Sequence, residues 1–110
     1  MNKHKLTECE AQVLMLIYEE KEPPNLPEIT EKVNKKYNKK WKPQTVSTML
    51  TRLITKGYLT NKRSGRTFLY YPTYSLEEVQ RAAVNNLVDI FFERKIIVLK
   101  DFMKDVEEYE

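Results

Sequence analysis

Cysteine, histidine and glycine are nearly absent from the 110-residue sequence, which contains one Cys, one His and two Gly. The single cysteine, Cys9, has no partner for an internal disulfide. A closed zinc site needs about four ligands, which Cys9 and His4 cannot supply. Two glycines are too few for a glycine-rich phosphate loop. We therefore expect a protein that is not an enzyme and that carries no metal or cofactor.

Long apolar runs are also missing. No window approaches the ~18 consecutive apolar residues that a transmembrane helix requires. The charged stretch 1–5 is not followed by an apolar segment that ends in a small-residue cleavage site. We therefore expect a cytoplasmic protein with no membrane association.

Acidic residues are absent from positions 32–76, where eleven Lys and Arg occur. Residues 1–75 carry a net charge of +7 and residues 76–110 a net charge of −4, which gives the chain its total of +3. Ordinary protein surfaces mix both signs of charge, whereas a long region of one sign favours a polyanionic partner. A solvated basic surface is the alternative explanation for this region.

Three short helices are predicted before Gly57. The first begins after Thr7, which opens a capping box, and the two prolines at 23–24 end it. The second begins near Pro27 and the third at Pro43, because proline suits the first turn of a helix. Glycine ends the third helix because it tolerates the left-handed cap conformation.

A β-hairpin and two further helices are predicted after these. Segments 58–63 and 66–71 are rich in β-forming side chains, and Ser64-Gly65 between them predicts the turn. Ser75 opens a second capping box, and Arg94-Lys95 marks a break before a last helix.

Three helices followed by a hairpin predict a winged helix-turn-helix, so the expected fold class is mainly α with a small β-hairpin. We assign residues 1–74 to this DNA-binding domain and residues 75–110 to a helical dimerisation region. The C-terminal apolar stripes follow a domain that already has its own core, so a monomer would expose them. They predict a homodimer interface formed by Val79, Ala83, Leu87, Ile90, Phe91, Ile96, Ile97 and Phe102.

The third predicted helix has the features of a recognition helix, which enters the major groove of DNA and contacts base edges near its N-terminus. Neutral polar side chains suit base edges, whereas Lys and Arg suit phosphates. The base-reading candidates are Gln44, Thr45 and Thr48, and the backbone-contacting candidates are Lys42, Arg52, Lys56, Lys62, Arg63 and Arg66.

Four segments of the sequence resemble one known family. They are Thr7–Tyr18 in the first helix, Trp41–Leu53 and Lys56–Leu59 around the third helix, and Gly65–Pro72 in the hairpin. The sequence is similar to the penicillinase-repressor family, the BlaI/MecI/CopY regulators of bacteria. The resemblance places Trp41 at the aromatic position that precedes the recognition helix of that family.

This resemblance implies a homodimeric repressor that binds a palindromic operator in double-stranded DNA and controls resistance or metal-homeostasis genes. By motif, the base-reading roles fall on Gln44, Thr45 and Thr48, and the phosphate-binding roles on Arg52 and Arg66.

Two branches of the family differ from this sequence. The copper-responsive branch has a C-terminal cysteine cluster, whereas no cysteine follows Cys9 here, so thiolate-based metal sensing is not expected. The β-lactam branch is inactivated by proteolysis before a phenylalanine preceded by asparagine. The corresponding Lys100-Asp101-Phe102 lacks the asparagine. A sensor-protease therefore stays among the predicted partners, although its cleavage motif is incomplete here.

Two other functions fit parts of the sequence. A winged helix can serve as a protein–protein interaction module, and duplex binding by such a module should show no steep dependence on salt. A winged-helix regulator can also be gated by a small molecule bound between the domain and the dimer helices. The sequence shows no clear pocket of converging polar groups, which leaves this second alternative open.

Overall fold

The computed structural model describes residues 5–106, so His4 lies outside the described residues. This part of the chain contains five helices and one β-hairpin in the predicted order, which is the winged-helix arrangement. None of these helices is long and apolar enough to span a membrane. The elements are α1 (Glu8–Glu19), α2 (Leu26–Tyr37), α3 (Pro43–Thr55), β1 (Leu59–Ser64), β2 (Thr67–Pro72), α4 (Leu76–Phe91) and α5 (Ile96–Lys104).

Capping boxes start three of the helices. The side chains of Thr7 at α1 and Ser75 at α4 each accept a hydrogen bond from the backbone N–H of the glutamate three residues later. The carboxylate of that glutamate accepts a hydrogen bond from the N–H of the cap residue, so both boxes form as predicted. Asn25 and Glu28 form a third box at α2 that the sequence interpretation missed. The helix begins at Leu26, next to Pro27, near which the start was predicted.

The hairpin begins one residue later than predicted because Tyr58 belongs to the C-terminal cap of α3. Its N–H donates to the carbonyl of Leu53 at 2.9 Å, and the N–H of Gly57 donates to that of Ile54 at 3.0 Å. Gly57 has φ of 88°, so these two bonds form a Schellman motif. Tyr58 is thereby fixed to the helix, and β1 starts at the next residue.

The turn of the hairpin is Gly65-Arg66 rather than the predicted Ser64-Gly65. Ser64 pairs directly with Thr67, which leaves two residues between the strands. Gly65 has φ of 64° at the first turn position, where a two-residue turn of type II′ needs a positive φ that glycine adopts without strain. At the other end of the hairpin, Leu59 pairs with Pro72.

Residues 5–74 form one compact unit with its own core. The N–H of Tyr70 donates to the carbonyl of Pro24 at 3.0 Å, which ties β2 to the connection between α1 and α2. The hydroxyl of Tyr18 donates to the carbonyl of Tyr74 at 2.6 Å and holds the end of the unit. Fully buried apolar side chains come from all three helices and β1: Val13, Leu14, Ile29, Val33, Val46, Leu50, Leu53 and Leu59.

Residues 75–106 form a second unit. Its two helices are separated by Glu93 and Arg94, which both have positive φ (54° and 62°), so the predicted break near Arg94 is confirmed. The rings of Phe92 and Phe102 lie 5.6 Å apart between their centroids. The buried hydrophobic residues of this unit are Val79, Val88 and Leu99.

Most of the apolar surface of the second unit is exposed. Val79 is only 5% exposed and has little surface left for a partner, so we exclude it from the predicted dimer interface. The other seven residues of that prediction are exposed. Val84, Met103 and Val106 are exposed as well, although the sequence interpretation did not include them in the interface.

Candidate nucleic-acid interface

One face of α3 is exposed along its length. Gln44, Thr48 and Arg52 follow one another at intervals of four residues, so they line the same side of the helix, and Thr45 lies beside them. All four side chains are exposed. The opposite side of the helix is buried through Val46, Met49, Leu50 and Leu53. Packing of that side therefore presents the four polar side chains outward.

The hydroxyl of Thr48 is partly used within the helix. It donates to the carbonyl of Gln44 at 3.1 Å, and the hydroxyl of Thr51 donates to that of Ser47 at 3.1 Å in the same way. A hydroxyl that donates to the backbone keeps its acceptor lone pairs and its neighbouring methyl group. Thr48 thus offers an apolar methyl, which can contact the methyl of thymine.

The first turn of α3 has a positive character. Lys42 occupies the N-cap, no side chain caps this end, and no acidic residue lies in the first turn. The free amide groups at a helix N-terminus and the helix dipole both attract anions. The exposed ammonium of Lys42 adds a full charge at the same place.

Asn34 fixes the turn that connects α2 with α3. Its side-chain amide donates to the carbonyl of Trp41 at 2.8 Å and accepts from the N–H of Trp41 at 2.9 Å. Asn38 caps α2 in the left-handed conformation with φ of 54°. The ammonium of Lys39 lies 5.5 Å from the ring centroid of Trp41. The sequence interpretation missed Asn34, because no local motif links an asparagine to a backbone seven residues away.

The hairpin carries the remaining exposed cations of the interface. Lys62, Arg63 and Arg66 lie at or beside the turn, and all three are exposed. Nε of Arg63 donates to the carbonyl of Gly65 at 3.1 Å, which holds this guanidinium at the tip. The ammonium of Lys62 lies 5.2 Å from the ring centroid of Tyr71. Because α3 packs directly on β1, the cationic hairpin adjoins the exposed polar face of α3.

Lys56 differs from the other predicted phosphate contacts. Its Nζ lies 2.6 Å from Oε1 of Glu10 and donates to the carbonyl of Lys5 at 2.9 Å. Glu10 is only 1% exposed, so the ammonium neutralises a buried carboxylate. Burial raises the pKa of Glu10, but the hydrogen bonds from Lys56 and Thr7 outweigh it and hold the pKa below its usual value. We therefore leave Lys56 out of the proposed interface.

Two more cations of the acid-free region are paired with α1. Lys32 forms an ion pair with Glu20, and Lys36 forms one with Glu19. By contrast, the ion pairs within residues 5–106 include none of Lys42, Arg52, Lys62, Arg63 and Arg66. Lys35, Lys39 and Lys40 are absent from these ion pairs as well, so the unpaired positive charge of this region extends from the end of α2 through α3 to the hairpin.

The described residues provide no cluster for a metal. Among residues 5–106, no three His, Cys, Asp or Glu side chains are placed to hold an ion. Cys9 lies half-buried in α1 with a free thiol.

Known proteins share this sequence pattern. A model of the penicillinase repressor family matches residues 6–109. The penicillinase repressor of Bacillus licheniformis is 28% identical over 87 residues, which cover 79% of this chain and 66% of that protein. The methicillin resistance regulatory protein MecI of Staphylococcus aureus is 29% identical over 51 residues, which cover 46% of this chain and 42% of that protein. The chain thus spans less than two thirds of either relative.

Solved structures share the fold. The solution structure of the DNA-binding domain of the repressor BlaI covers 71% of this chain and 93% of its own, with 32% identity and a TM-score of 0.59. Bacillus licheniformis BlaI in complex with the blaP half-operator covers 68% of this chain and 88% of its own, with 31% identity and a TM-score of 0.56. A complex structure of hsRosR covers 96% of both chains at 17% identity, with a TM-score of 0.63, and shows the fold alone. The matched family model extends over almost the whole sequence, and the chain belongs to the penicillinase repressor family.

Proposed function

We propose that this chain is a DNA-binding transcriptional repressor that acts as a homodimer on a palindromic operator. One observation carries the proposal: the exposed polar face of α3 adjoins a hairpin whose three cations are exposed. Membership of the penicillinase repressor family supports it, as does the likeness to BlaI, which has been solved with a half-operator. We place its action in the cytoplasm and its targets among resistance or stress genes.

In this proposal α3 enters the major groove. The amide of Gln44 pairs with adenine, and the methyl groups of Thr45 and Thr48 contact thymine methyls. Arg52 lies eight residues after Gln44, about 12 Å along the helix axis, where it contacts a phosphate. Lys42 and the uncapped start of the helix hold a second phosphate. The wing cations bind the backbone of the flanking groove.

The second unit supplies the dimer contact. Its exposed apolar residues include Phe91 at 71% and Ile97 at 59%, which is a large apolar surface for so short a pair of helices. A two-fold dimer would place two recognition helices in successive major grooves, about 34 Å apart. A dimer bound to the operator then blocks transcription of the adjacent gene.

Binding to a random-sequence duplex tests the proposal first. The logarithm of the affinity should fall steeply with the logarithm of the salt concentration, and Arg66→Gln should reduce that slope by about 1 if it contacts one phosphate. A shallow slope for the wild-type chain would contradict DNA binding and favour a protein-interaction module.

Selection of preferred sequences from a random pool tests the reading face. Thr48→Ala should change the base preference at one position of each half-site, because the thymine contact is lost. Thr51→Ala is the matched control, since its hydroxyl makes the same intrahelical bond one turn further along. Equal preferences for the wild-type chain and Thr48→Ala would show that the reading face is wrongly assigned.

A further inference from the structure

Phe68 is an exception among the large apolar residues of the first unit. Among the described residues 5–74, Phe68 is the only large hydrophobic residue classed as exposed, with 43% of its area open to solvent. Leu59 and Tyr70 of the same hairpin are buried. Core packing therefore accounts for the base of the hairpin and does not account for Phe68.

The strand register fixes the face on which Phe68 lies. It pairs directly with Arg63, one pair before the turn, and residues that face each other across an antiparallel pair lie on the same side of the sheet. The pairs of Asn61 with Tyr70 and of Leu59 with Pro72 lie on this same side, because side chains alternate along a strand. The inner face of the hairpin thus begins in the core and extends to an exposed phenylalanine at the tip.

The charges around Phe68 select its partner. Arg63 lies opposite it, Arg66 lies in the adjoining turn, and no acidic residue occurs in positions 32–76. An apolar ring between cations suits a surface in which apolar patches alternate with anions. The minor groove of DNA is such a surface, because its walls are the C–H faces of deoxyribose and its rims are phosphates. Proteins that bind this groove combine Arg or Lys with apolar side chains.

We propose that Phe68 is a DNA-contacting residue that packs against deoxyribose in the minor groove while Arg63 and Arg66 hold the phosphates beside it. The proposal rests on the proposed function and adds an apolar contact to it. The phenyl ring carries no charge and releases no counterion, so its contribution to affinity is independent of salt. This property separates Phe68 from the cations around it.

The first experiment measures the affinity of the full chain for a selected duplex of about 30 base pairs, long enough for two half-sites one helical turn apart. Phe68→Ala should weaken binding about tenfold with an unchanged salt slope, by analogy with aromatic contacts to single bases. Phe68→Leu keeps an apolar side chain and should recover part of the loss. Arg66→Gln is the matched control, with a reduced slope. Circular dichroism and thermal unfolding report on folding, and Phe68→Leu carries the test if the alanine variant is unfolded.

Footprinting at equal occupancy locates the contact. Hydroxyl radicals abstract hydrogen from deoxyribose along the minor groove, and dimethyl sulfate methylates guanine N7 in the major groove. In Phe68→Ala or Phe68→Leu, sugar protection should weaken at the wing position, while guanine protection by α3 should persist. Wild-type affinity in Phe68→Ala, or an unchanged sugar footprint, overturns the contact. If the wild-type chain itself shows neither a steep salt slope nor a footprint, the proposed function fails instead.

Discussion

The two units of the molecule bury their apolar residues to different extents. In residues 5–74, all three helices and the hairpin contribute fully buried side chains, and Phe68 is the exposed large hydrophobic residue. In residues 75–106, ten large hydrophobic residues are more than a third exposed, and only Val79, Val88 and Leu99 are buried. The first unit has a complete core, whereas the second has an apolar surface that lacks a cover within the described chain.

This difference shows how the sequence divides its tasks. A small domain becomes independent when each element has an apolar side that its neighbours cover. Two helices alone leave much of their apolar surface uncovered, as the ten exposed residues of this unit show. The exposed remainder favours association with a partner.

Removal of the second unit is expected to have the largest effect. A chain that ends at Tyr74 should remain folded, because the bond from the Tyr18 hydroxyl to the Tyr74 carbonyl is retained. Its operator affinity should fall by about 10²- to 10⁴-fold, because the two recognition helices are no longer linked. Gel-shift titration measures the operator affinity, and sedimentation shows whether the truncated chain is a monomer. Unchanged operator affinity in a monomeric truncation would show that the second unit does not assemble the binding species.

Truncation of one apolar side chain in each unit should give the second-largest difference, measured as the loss in the free energy of unfolding. Leu50→Ala opens a cavity in the first core and should lower the free energy of unfolding by about 2–5 kcal/mol. Ile97→Ala removes a side chain that is 59% exposed, so in dilute protein the free energy of unfolding should change by less than about 0.5 kcal/mol. At higher concentration the Ile97 variant should associate more weakly. Urea unfolding at two protein concentrations measures both effects, and equal losses in dilute protein would contradict the comparison.

The capping-box glutamates of the two units give the smallest predicted difference. The pKa of Glu10 lies below 4.5 in the folded state, so its stabilisation is present at higher pH and is lost as pH falls through the folded-state pKa. Glu10→Gln should lower the free energy of unfolding by about 1–3 kcal/mol at neutral pH, because it removes charge-assisted hydrogen bonds to Lys56 and Thr7. Below pH 4.5 the difference between the variant and the wild type should shrink.

Glu78→Gln is the control for this change. Glu78 makes the same capping box with Ser75, but its side chain is exposed and forms no ion pair among those of residues 5–106. Its backbone hydrogen bond with Ser75 also lowers the pKa, and solvent screens the interaction. Equal losses in the two variants at neutral pH would show that the buried pair of Glu10 and Lys56 adds nothing to the box.

Local sequence signals predicted most of the fold. Thr7 and Ser75 start helices because their side chains satisfy backbone amides three residues away. The box at Asn25 uses the same chemistry and was missed because Pro27 offered another start signal nearby. Tyr58 has the composition of a strand residue, but the Schellman bond to Leu53 assigns it to the cap of α3.

The candidate site was predictable where it is local and unpredictable where it depends on distant pairing. The outward positions of Gln44, Thr45 and Thr48 follow from helical periodicity. The engagement of Lys56 depends on Glu10, 46 residues earlier, and nothing in the neighbourhood of either residue indicates it. The burial of Val79 is likewise a tertiary property.

The double hydrogen bond of Asn34 has a consequence for mutational tolerance. Both bonds are made to the backbone of Trp41, so the bend before α3 does not require the indole. Position 41 can therefore vary among residues that keep a backbone N–H, which excludes proline. Position 34 needs a donor and an acceptor on one short side chain, a requirement that asparagine alone meets at this reach. Asn34, a residue of α2, thus holds the bend from which α3 begins.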